Sequence, residues 1–231
     1  MKTTGFTLVE MLVAMAVFAV AIVALIQFQS FTVSSSTRTS YESQRLISLT
    51  DVGGYIGDIV KAAQQVPDGY TIDGLDCRRT PTSGNLPCLA VVLPVVNAST
   101  GEITSWTLYA FRYRLRTVMA STERDNTRLD AYAYALQEVT VAYDASVTGC
   151  GAITATSTPS ITCFTGGSGA VTRAWIADNL MLASGTTMFS FSTASKVVTI
   201  ALQSVSIQGN SIKYTPSTSP YTLKVFARNA S

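Results

Sequence analysis

The sequence predicts an α+β fold in which one long N-terminal helix packs on an antiparallel, β-rich head. Three observations carry this prediction. Residues 6–37 hold a single charged side chain, Glu10, within a long apolar run. Residues 49–63 repeat apolar side chains at helical spacing, and from residue 67 onward the apolar pattern alternates as it does in strands. A long helix followed by a series of strands is typical of α+β proteins.

The first segment is long and apolar enough to cross a bilayer. Residues 11–26 contain no charge, and as a helix rising 1.5 Å per residue they would extend about 24 Å. Phe28 and Phe31 lengthen the apolar stretch toward the ~30 Å of a hydrocarbon core. We therefore expect residues 6–31 to form a membrane-spanning half of the helix.

The second half of the helix is predicted by an amphipathic stripe. Its members recur at spacings of three and four residues: Leu49, Val52, Ile56, Ile59, Val60 and Ala63. Gly53 and Gly54 interrupt the stripe and would allow a bend, while Pro67, followed by Asp68 and Gly69, supplies a stop. The helix is thus expected over residues 6–66 and one globular head over residues 67–231.

Strand-like alternation recurs through the head, where Ser-, Thr- and Gly-rich loops separate the apolar segments. We expect strands at residues 88–96, 105–116, 132–143, 188–191, 196–202 and 221–228.

Composition argues against catalysis. The chain contains no histidine, and no Gly-x-Ser-x-Gly, phosphate-loop or zinc signature occurs in it. The formal net charge is only +2 and charged residues are sparse, so whole-chain charge indicates no particular partner. We therefore expect a protein that is not an enzyme and needs no cofactor or metal.

Four cysteines, Cys77, Cys88, Cys150 and Cys163, lack the two-residue spacing of zinc and redox sites. The short closures Cys77–Cys88 and Cys150–Cys163 are favoured, since each would tie a loop-like segment and contribute about 3 kcal/mol in the chain-entropy model. Other pairings and four buried free thiols remain alternatives. Disulfides would indicate an oxidising compartment outside the cytoplasm.

Three aspartates near two glycines loosely suggest a calcium loop. Asp68, Asp73 and Asp76 lie beside Gly69 and Gly74, but the segment lacks the terminal bidentate glutamate of the regular motif. Turn chemistry explains these residues better.

An arginine stripe is the one candidate binding surface. Arg112, Arg114 and Arg116 alternate with Tyr113 and Leu115, so on a strand the three guanidinium groups would project from one face. Such a stripe could meet DNA phosphates or an acidic neighbouring subunit. A solvated outer sheet face is the simpler interpretation and is favoured.

The N-terminus Met-Lys-Thr-Thr-Gly-Phe-Thr-Leu-Val-Glu resembles the class III signal of type IV prepilins and type II secretion pseudopilins. The resemblance rests on Lys2 in a short leader, Gly5 before the cut, Phe6 after it and Glu10 at the fifth mature position. It implies a leader at residues 1–5, cleavage between Gly5 and Phe6 by prepilin peptidase, and N-methylation of Phe6. An ordinary secretory signal has its cleavage site after the apolar run, so it fits less well.

The same resemblance gives Glu10 an assembly role. A charge inside hydrocarbon costs about 2.5 to 3.5 kcal/mol on insertion scales, so an isolated glutamate there needs a function or a partner. In the family, the glutamate at this position pairs with the N-terminal amine of the adjoining subunit. The expected partners are therefore other pilins through the N-terminal helix, prepilin peptidase and the inner membrane.

A second resemblance concerns the C-terminal third. Residues 176–180 as a short connector, followed by strands at 188–191, 196–202 and 221–228, are similar to the larger minor pilins and the J-type minor pseudopilin. No proline precedes Pro67, unlike many major pilins. The resemblance implies a minor pilin, held in the bacterial inner membrane and then assembled into a periplasm-spanning or cell-surface filament. A type II secretion pseudopilin and a DNA-binding competence pilin are the alternatives.

Overall fold

The computed structural model describes residues 7–81, 84–124, 126–151, 158–164, 170–182 and 187–230. The chain divides into two compact units, residues 1–44 and residues 45–231. Helix α1, Leu8–Ala62, is 55 residues long and contributes to both. It ends before Pro67, slightly earlier than the predicted boundary at residue 66.

In the first unit, the apolar part of α1 is exposed on every side. Leu8, Phe18, Leu25 and Phe28 are all solvent-accessible. Within the described residues, α1 is the one helix long and apolar enough to cross a membrane. A helix that is apolar all round requires lipid or another protein as its surroundings.

The helix also continues through a Ser- and Thr-rich segment after the apolar run. There, hydroxyl groups bond to carbonyls one turn earlier: Thr32 Oγ1 donates to Phe28 O at 2.9 Å, and Thr37 Oγ1 to Val33 O at 2.8 Å. These local bonds satisfy side chains that would otherwise compete with the helical backbone.

After α1, the described part of the second unit contains a series of β-strands. In chain order they are β1 (Tyr70–Ile72), β2 (Leu75–Cys77), β3 (Cys88–Val96), β4 (Ile103–Leu115), β5 (Tyr134–Ala142), β6 (Val171–Leu180), β7 (Phe189–Ser192), β8 (Val197–Leu202), β9 (Ser204–Gln208), β10 (Ser211–Thr215) and β11 (Tyr221–Phe226).

Among the described residues these strands form three sheets, and every paired set of strands is antiparallel. The largest has the order β10-β9-β6-β5-β4-β3, the second is β11-β8-β7, and the third is the β1-β2 hairpin. The helix and the antiparallel sheets together confirm the predicted α+β class.

Two apolar clusters occupy opposite faces of the six-stranded sheet. On one face, Phe111 and Leu136 pack with Ile56 and Val60 of α1 and with Ile200 of the three-stranded sheet. On the other face, a second cluster lies beneath the β1-β2 hairpin and the short 3-10 helix Ile161–Phe164; it includes Ile72, Leu108, Val139 and Phe164. The division follows from the alternation of side chains along each strand.

The strand predictions are correct in part. The strand at residues 88–96 agrees with β3 in both bounds, and the segments at 105–116 and 132–143 correspond to β4 and β5. The connector expected at residues 176–180 is wrong, because it is the second half of β6. Strands β1, β2, β9 and β10 were not predicted. They are short and rich in polar residues, so neighbouring strands, more than their own propensity, hold them extended.

Helix α1 continues through its two consecutive glycines, and Gly53 and Gly57 lie where it packs closely against the sheet. A Cβ atom at Gly53 would lie 3.1 Å from Tyr221 of β11, and one at Gly57 would lie 3.2 Å from both Leu223 and Val225. Gly54 faces open space. The amphipathic stripe therefore runs through Gly53 and Gly57 where β11 approaches the helix.

Replacing Gly57 with leucine should destabilise the head. The new side chain has to displace Leu223 and Val225, and overpacking of this kind typically costs about 1 to 3 kcal/mol. Gly54→Ala is the matched control and should be neutral or stabilise by up to about 1 kcal/mol, because alanine favours helix and meets nothing there. Denaturant unfolding followed by circular dichroism measures both. Equal stabilities for the two variants would contradict the close approach of β11.

Candidate functional site

The first turn of α1 is closed by a reciprocal pair of side chains. The Thr7 backbone N–H donates to Glu10 Oε2 at 2.9 Å, and the Glu10 N–H donates to Thr7 Oγ1 at 3.3 Å. The Thr7 hydroxyl also lies 3.0 Å from Oε2. This is a capping box, in which two N–H groups without helical partners are satisfied. The Thr-x-x-Glu spacing ahead of an apolar run was a signal for it that the sequence interpretation missed.

This cap orients the Glu10 carboxylate. All of its contacts with Thr7 go to Oε2, and Oε1 has no hydrogen bond within the described part of the chain. A carboxylate at a helix N-terminus is also favoured by the helix dipole. The site can therefore keep one carboxylate oxygen for an outside cation. Gly5 and Phe6, the predicted cleavage and methylation residues, lie outside the described residues.

On the head, Arg112 is buried on β4 and fully engaged inside the protein. Its side chain is 7% exposed. Its Nε donates to Gln137 Oε1 at 3.0 Å and its Nη2 to Asp73 Oδ2 at 2.9 Å. It therefore joins β5 and the β1-β2 hairpin to the strand that carries it.

Asp73 occupies the tip of that hairpin. Asp73 and Gly74 both have positive φ, 52° and 74°, and Ile72 pairs with Leu75, which gives a two-residue turn of the type I′ kind. The described residues contain no group of acidic, cysteine or histidine side chains that could hold a metal. The Asp73 carboxylate binds Arg173 and Arg112 instead, in agreement with the turn interpretation.

These arginines also set the acidity of Asp73. Hydrogen bonds from Arg173 first, and then from Arg112, lower the pKa of Asp73 from its ordinary value of 3.8, against an opposing effect of partial burial. The charged carboxylate is thus the form that holds the hairpin to the sheet.

Arg116 departs furthest from the predicted stripe. It lies beyond the end of β4, at the start of the 3-10 helix Arg116–Val118, and is completely buried. Its guanidinium contacts Asp178 through two hydrogen bonds of 2.6 and 2.7 Å and Asp130 Oδ1 at 2.8 Å. Asp130 also binds Arg124. This cluster ties the segment after β4 to β6.

Arg114 differs from both of its neighbours. It is half-buried, and it forms no ion pair within the described residues. Three guanidinium groups were expected to project from one face of the sheet, and only that of Arg114 lacks an internal ion pair within the described residues. The expectation of a solvated face is wrong for Arg112 and Arg116, because carboxylates from distant segments draw both side chains into the protein.

The cysteines form two disulfides, Cys77–Cys88 and Cys150–Cys163. These are the short closures that the spacing favoured, and no described cysteine is free. The first joins β2 to the beginning of β3. The second closes the loop after β5, where Tyr143 OH also donates to Gly151 O at 2.7 Å.

Comparison with known proteins places a recognised motif at the N-terminus. Residues 1–26 match the prokaryotic N-terminal methylation motif. No curated protein and no solved structure is significantly similar to the chain. The match covers the expected leader and the first part of the apolar helix, and the head lies outside it.

Removing the buried guanidinium of Arg116 should lower the free energy of unfolding of the head. Arg116→Gln leaves Asp178 and Asp130 without their shared counter-charge, and breaking such a pair typically costs about 3 kcal/mol. The matched variant is Arg114→Gln, two residues earlier at the end of β4, which should stay within about 0.5 kcal/mol of the parent. Urea unfolding of the three proteins checks the contrast, and similar losses for both variants would contradict it.

The Asp73 ion pairs should make part of the stability depend on pH. Because the pKa of Asp73 is lowered in the folded state, its contribution is present above 3.8 and is lost as the pH falls through the lower folded value. Asp73→Asn should therefore be less stable than the parent at neutral pH, and the difference should narrow in acid.

Unfolding free energies measured over a pH series test this dependence. Asp51→Asn, at an exposed aspartate of α1, is the control and should follow the parent curve. A constant difference between parent and Asp73→Asn down to about pH 2 would rule out the linkage.

Proposed function

Because the chain belongs, by the methylation motif at its N-terminus, to the type IV pilin and pseudopilin family, we propose that it is a minor pilin. Prepilin peptidase removes residues 1–5 and Phe6 becomes the methylated N-terminus. The protein is held in the inner membrane before assembly. It is then incorporated into a type IV pilus or a related filament, either along its length or at its tip. Family membership points to a structural, non-enzymatic role.

One observation carries the proposal: the matched motif extends into helix α1, whose apolar half packs against nothing else in the described part of the chain. Such a surface is stable in lipid before assembly and against other helices after it. A single helix can therefore serve as anchor and as assembly interface. In the proposal, helix α1, Leu8–Ala62, supplies the anchor and the interface, and residues 67–231 supply the head that a filament would display.

Glu10 is the proposed assembly residue. A charge enclosed among apolar helices is tolerable when it is paired and costly when it is not. The capping box holds Oε2 toward Thr7 and leaves Oε1 without a hydrogen bond in the described chain. The new amine at Phe6 of an adjoining subunit is a cation of the required charge. Its contact with Oε1 would set the axial register between subunits.

The minor-pilin assignment is supported by the size of the head and by the helix without an internal proline. A minor pseudopilin of a type II secretion system is the alternative with the same processing and the same anchor. Capture of DNA through the arginine stripe has less support, since Arg112 and Arg116 have internal partners.

Mass spectrometry of sheared filaments tests the assignment. The protein should be present at a small fraction of the abundance of the major subunit, with an N-methylated Phe6 as its first residue. Its absence from pili, together with impaired export of folded proteins in a deletion strain, would favour the secretion alternative.

Substitutions at the cap separate the charge of Glu10 from its effect on the helix. Glu10→Gln keeps a hydrogen-bonding partner for Thr7 and removes the charge, whereas Thr7→Ala weakens the cap and keeps the charge. We expect Glu10→Gln and Glu10→Val to be cleaved and inserted but excluded from filaments, because the amine at Phe6 loses its counter-charge. Thr7→Ala should still assemble, since loss of a cap costs only about 1 kcal/mol.

The measurement compares membranes with sheared filaments after N-terminal sequencing has shown Phe6 exposed. Normal incorporation of Glu10→Gln would show that assembly does not require the charge of Glu10. If Thr7→Ala and Glu10→Val then both failed to assemble, the capping box would be what assembly requires.

A further inference from the structure

A small cavity opens on the head beside the end of β4. Its volume is about 190 Å³. The walls come from the β1-β2 hairpin, from the segment ahead of β3, and from the residues that follow Tyr113; those used below are Leu75, Asp76, Leu86, Arg114, Leu115 and Val118. Ligand pockets for whole small molecules usually measure about 300 to 1,000 Å³, so this cavity suits a side chain better than a cofactor.

The cavity exists because neighbouring strands end at different points. Strand β3 begins at Cys88, where it pairs with Arg112, but β4 continues to Leu115. Tyr113 N donates to Pro87 O at 2.9 Å, so the backbone groups of Tyr113 point toward the β3 side. In an antiparallel strand, the N–H and C=O groups of alternate residues point to the same side, so those of Leu115 also point toward the β3 side, at a position beyond the start of β3. An extended segment could therefore lie beside β4 at this position.

The walls of the cavity are held in place by covalent and polar links. The Cys77–Cys88 disulfide joins the hairpin to β3. Asp76 accepts hydrogen bonds from Arg78 at 2.9 Å and from Asn85 at 3.1 Å. The site is thus largely formed before any ligand arrives, which lowers the entropic cost of binding.

The charges in the cavity favour an anion. Asp76 is neutralised by Arg78, and Arg112, at the cavity wall, is bound to Asp73. Arg114 lines the cavity, is half-buried and has no ion pair in the described part of the chain, so its guanidinium can bind an outside anion. A carboxylate can accept two parallel hydrogen bonds from a guanidinium, which makes it the best match for this side chain.

The rest of the lining is aliphatic and accessible. Leu75, Leu115 and Val118 are 38%, 50% and 51% exposed. Leu86 also lines the cavity and packs against the core. A simple anion would leave these apolar surfaces in water, whereas an aliphatic side chain next to the carboxylate would cover them.

We propose that this cavity binds an extended acidic segment of another protein. A glutamate or aspartate of that segment pairs with Arg114, and a neighbouring aliphatic side chain covers Leu115 and Val118. The proposal rests on the head alone and is independent of the assembly role given to Glu10.

Methyl-detected NMR on the full chain in detergent micelles tests this binding. The leucine and valine methyl groups of Leu75, Leu86, Leu115 and Val118 report on the cavity, while Leu108 and Val139 in the opposite core report on the fold. The probe is the blocked peptide acetyl-Leu-Glu-Leu-amide, compared with acetyl-Leu-Gln-Leu-amide and with sodium acetate. We expect saturable shifts at the cavity methyls with the glutamate peptide, and binding about tenfold weaker with the glutamine peptide.

Two variants of the cavity, with one control variant outside it, test which residues bind the peptide. Arg114→Gln should weaken binding of the glutamate peptide about tenfold, while Arg128→Gln, at an exposed arginine outside the cavity, should leave it unchanged. Val118→Glu places a competing carboxylate at the rim and should also weaken binding, even if Arg114→Gln were to disturb the fold.

The proposal is overturned if the cavity methyls do not respond to the glutamate peptide, or if they respond equally to the glutamine peptide. Acetate binding as tightly as the peptide would overturn it too, since the aliphatic contact would then contribute nothing. Unchanged binding in the folded Arg114→Gln and Val118→Glu variants would have the same meaning.

Discussion

The head depends on the burial of one face of α1 between two sheets. Ile56 and Val60 are inaccessible to solvent and pack with Phe111 on one side and Ile200 on the other. Gly53 and Gly57 allow β11 to approach the helix, so the contact surface is set by the absence of side chains as much as by their presence. Because this face supplies the core that both sheets share, a change in it affects the sheets together. The other elements of the head pack around this helix and its two sheets.

The opposite side of the large sheet is covered in a different way. A two-stranded hairpin is at best marginally stable alone, and the β1-β2 hairpin is held by the Cys77–Cys88 disulfide and by the ion pairs of Asp73 with Arg112 and Arg173. These links also shape the cavity near Arg114. Stability and recognition are therefore coupled on this face, since the hairpin that covers the second apolar cluster is also a wall of the proposed binding site.

At the N-terminus, too, one side chain has two roles. The Glu10 carboxylate closes the first helical turn through Oε2 and, in the proposed assembly, offers Oε1 to a neighbouring amine. The cap does not interfere with the proposed assembly contact, because it uses Oε2, leaves Oε1 available and orients the carboxylate. In lipid, where no water can satisfy the first N–H groups of a helix, a built-in acceptor is especially valuable.

Local patterns in the sequence were enough to predict the long helix, the apolar stripe at Ile56 and Val60, most of the central strands and the motif at Gly5, Phe6 and Glu10. Each of these rests on periodicity or on the order of adjacent residues. The remaining features depend on contacts between segments that are distant in the chain. Whether Arg112 and Arg116 face solvent depends on Asp73 and Asp178, which are far away in the chain, and no spacing rule brings those carboxylates to the arginines. Strands β9 and β10 likewise become strands only when a partner supplies their hydrogen bonds, because short polar segments have little preference of their own.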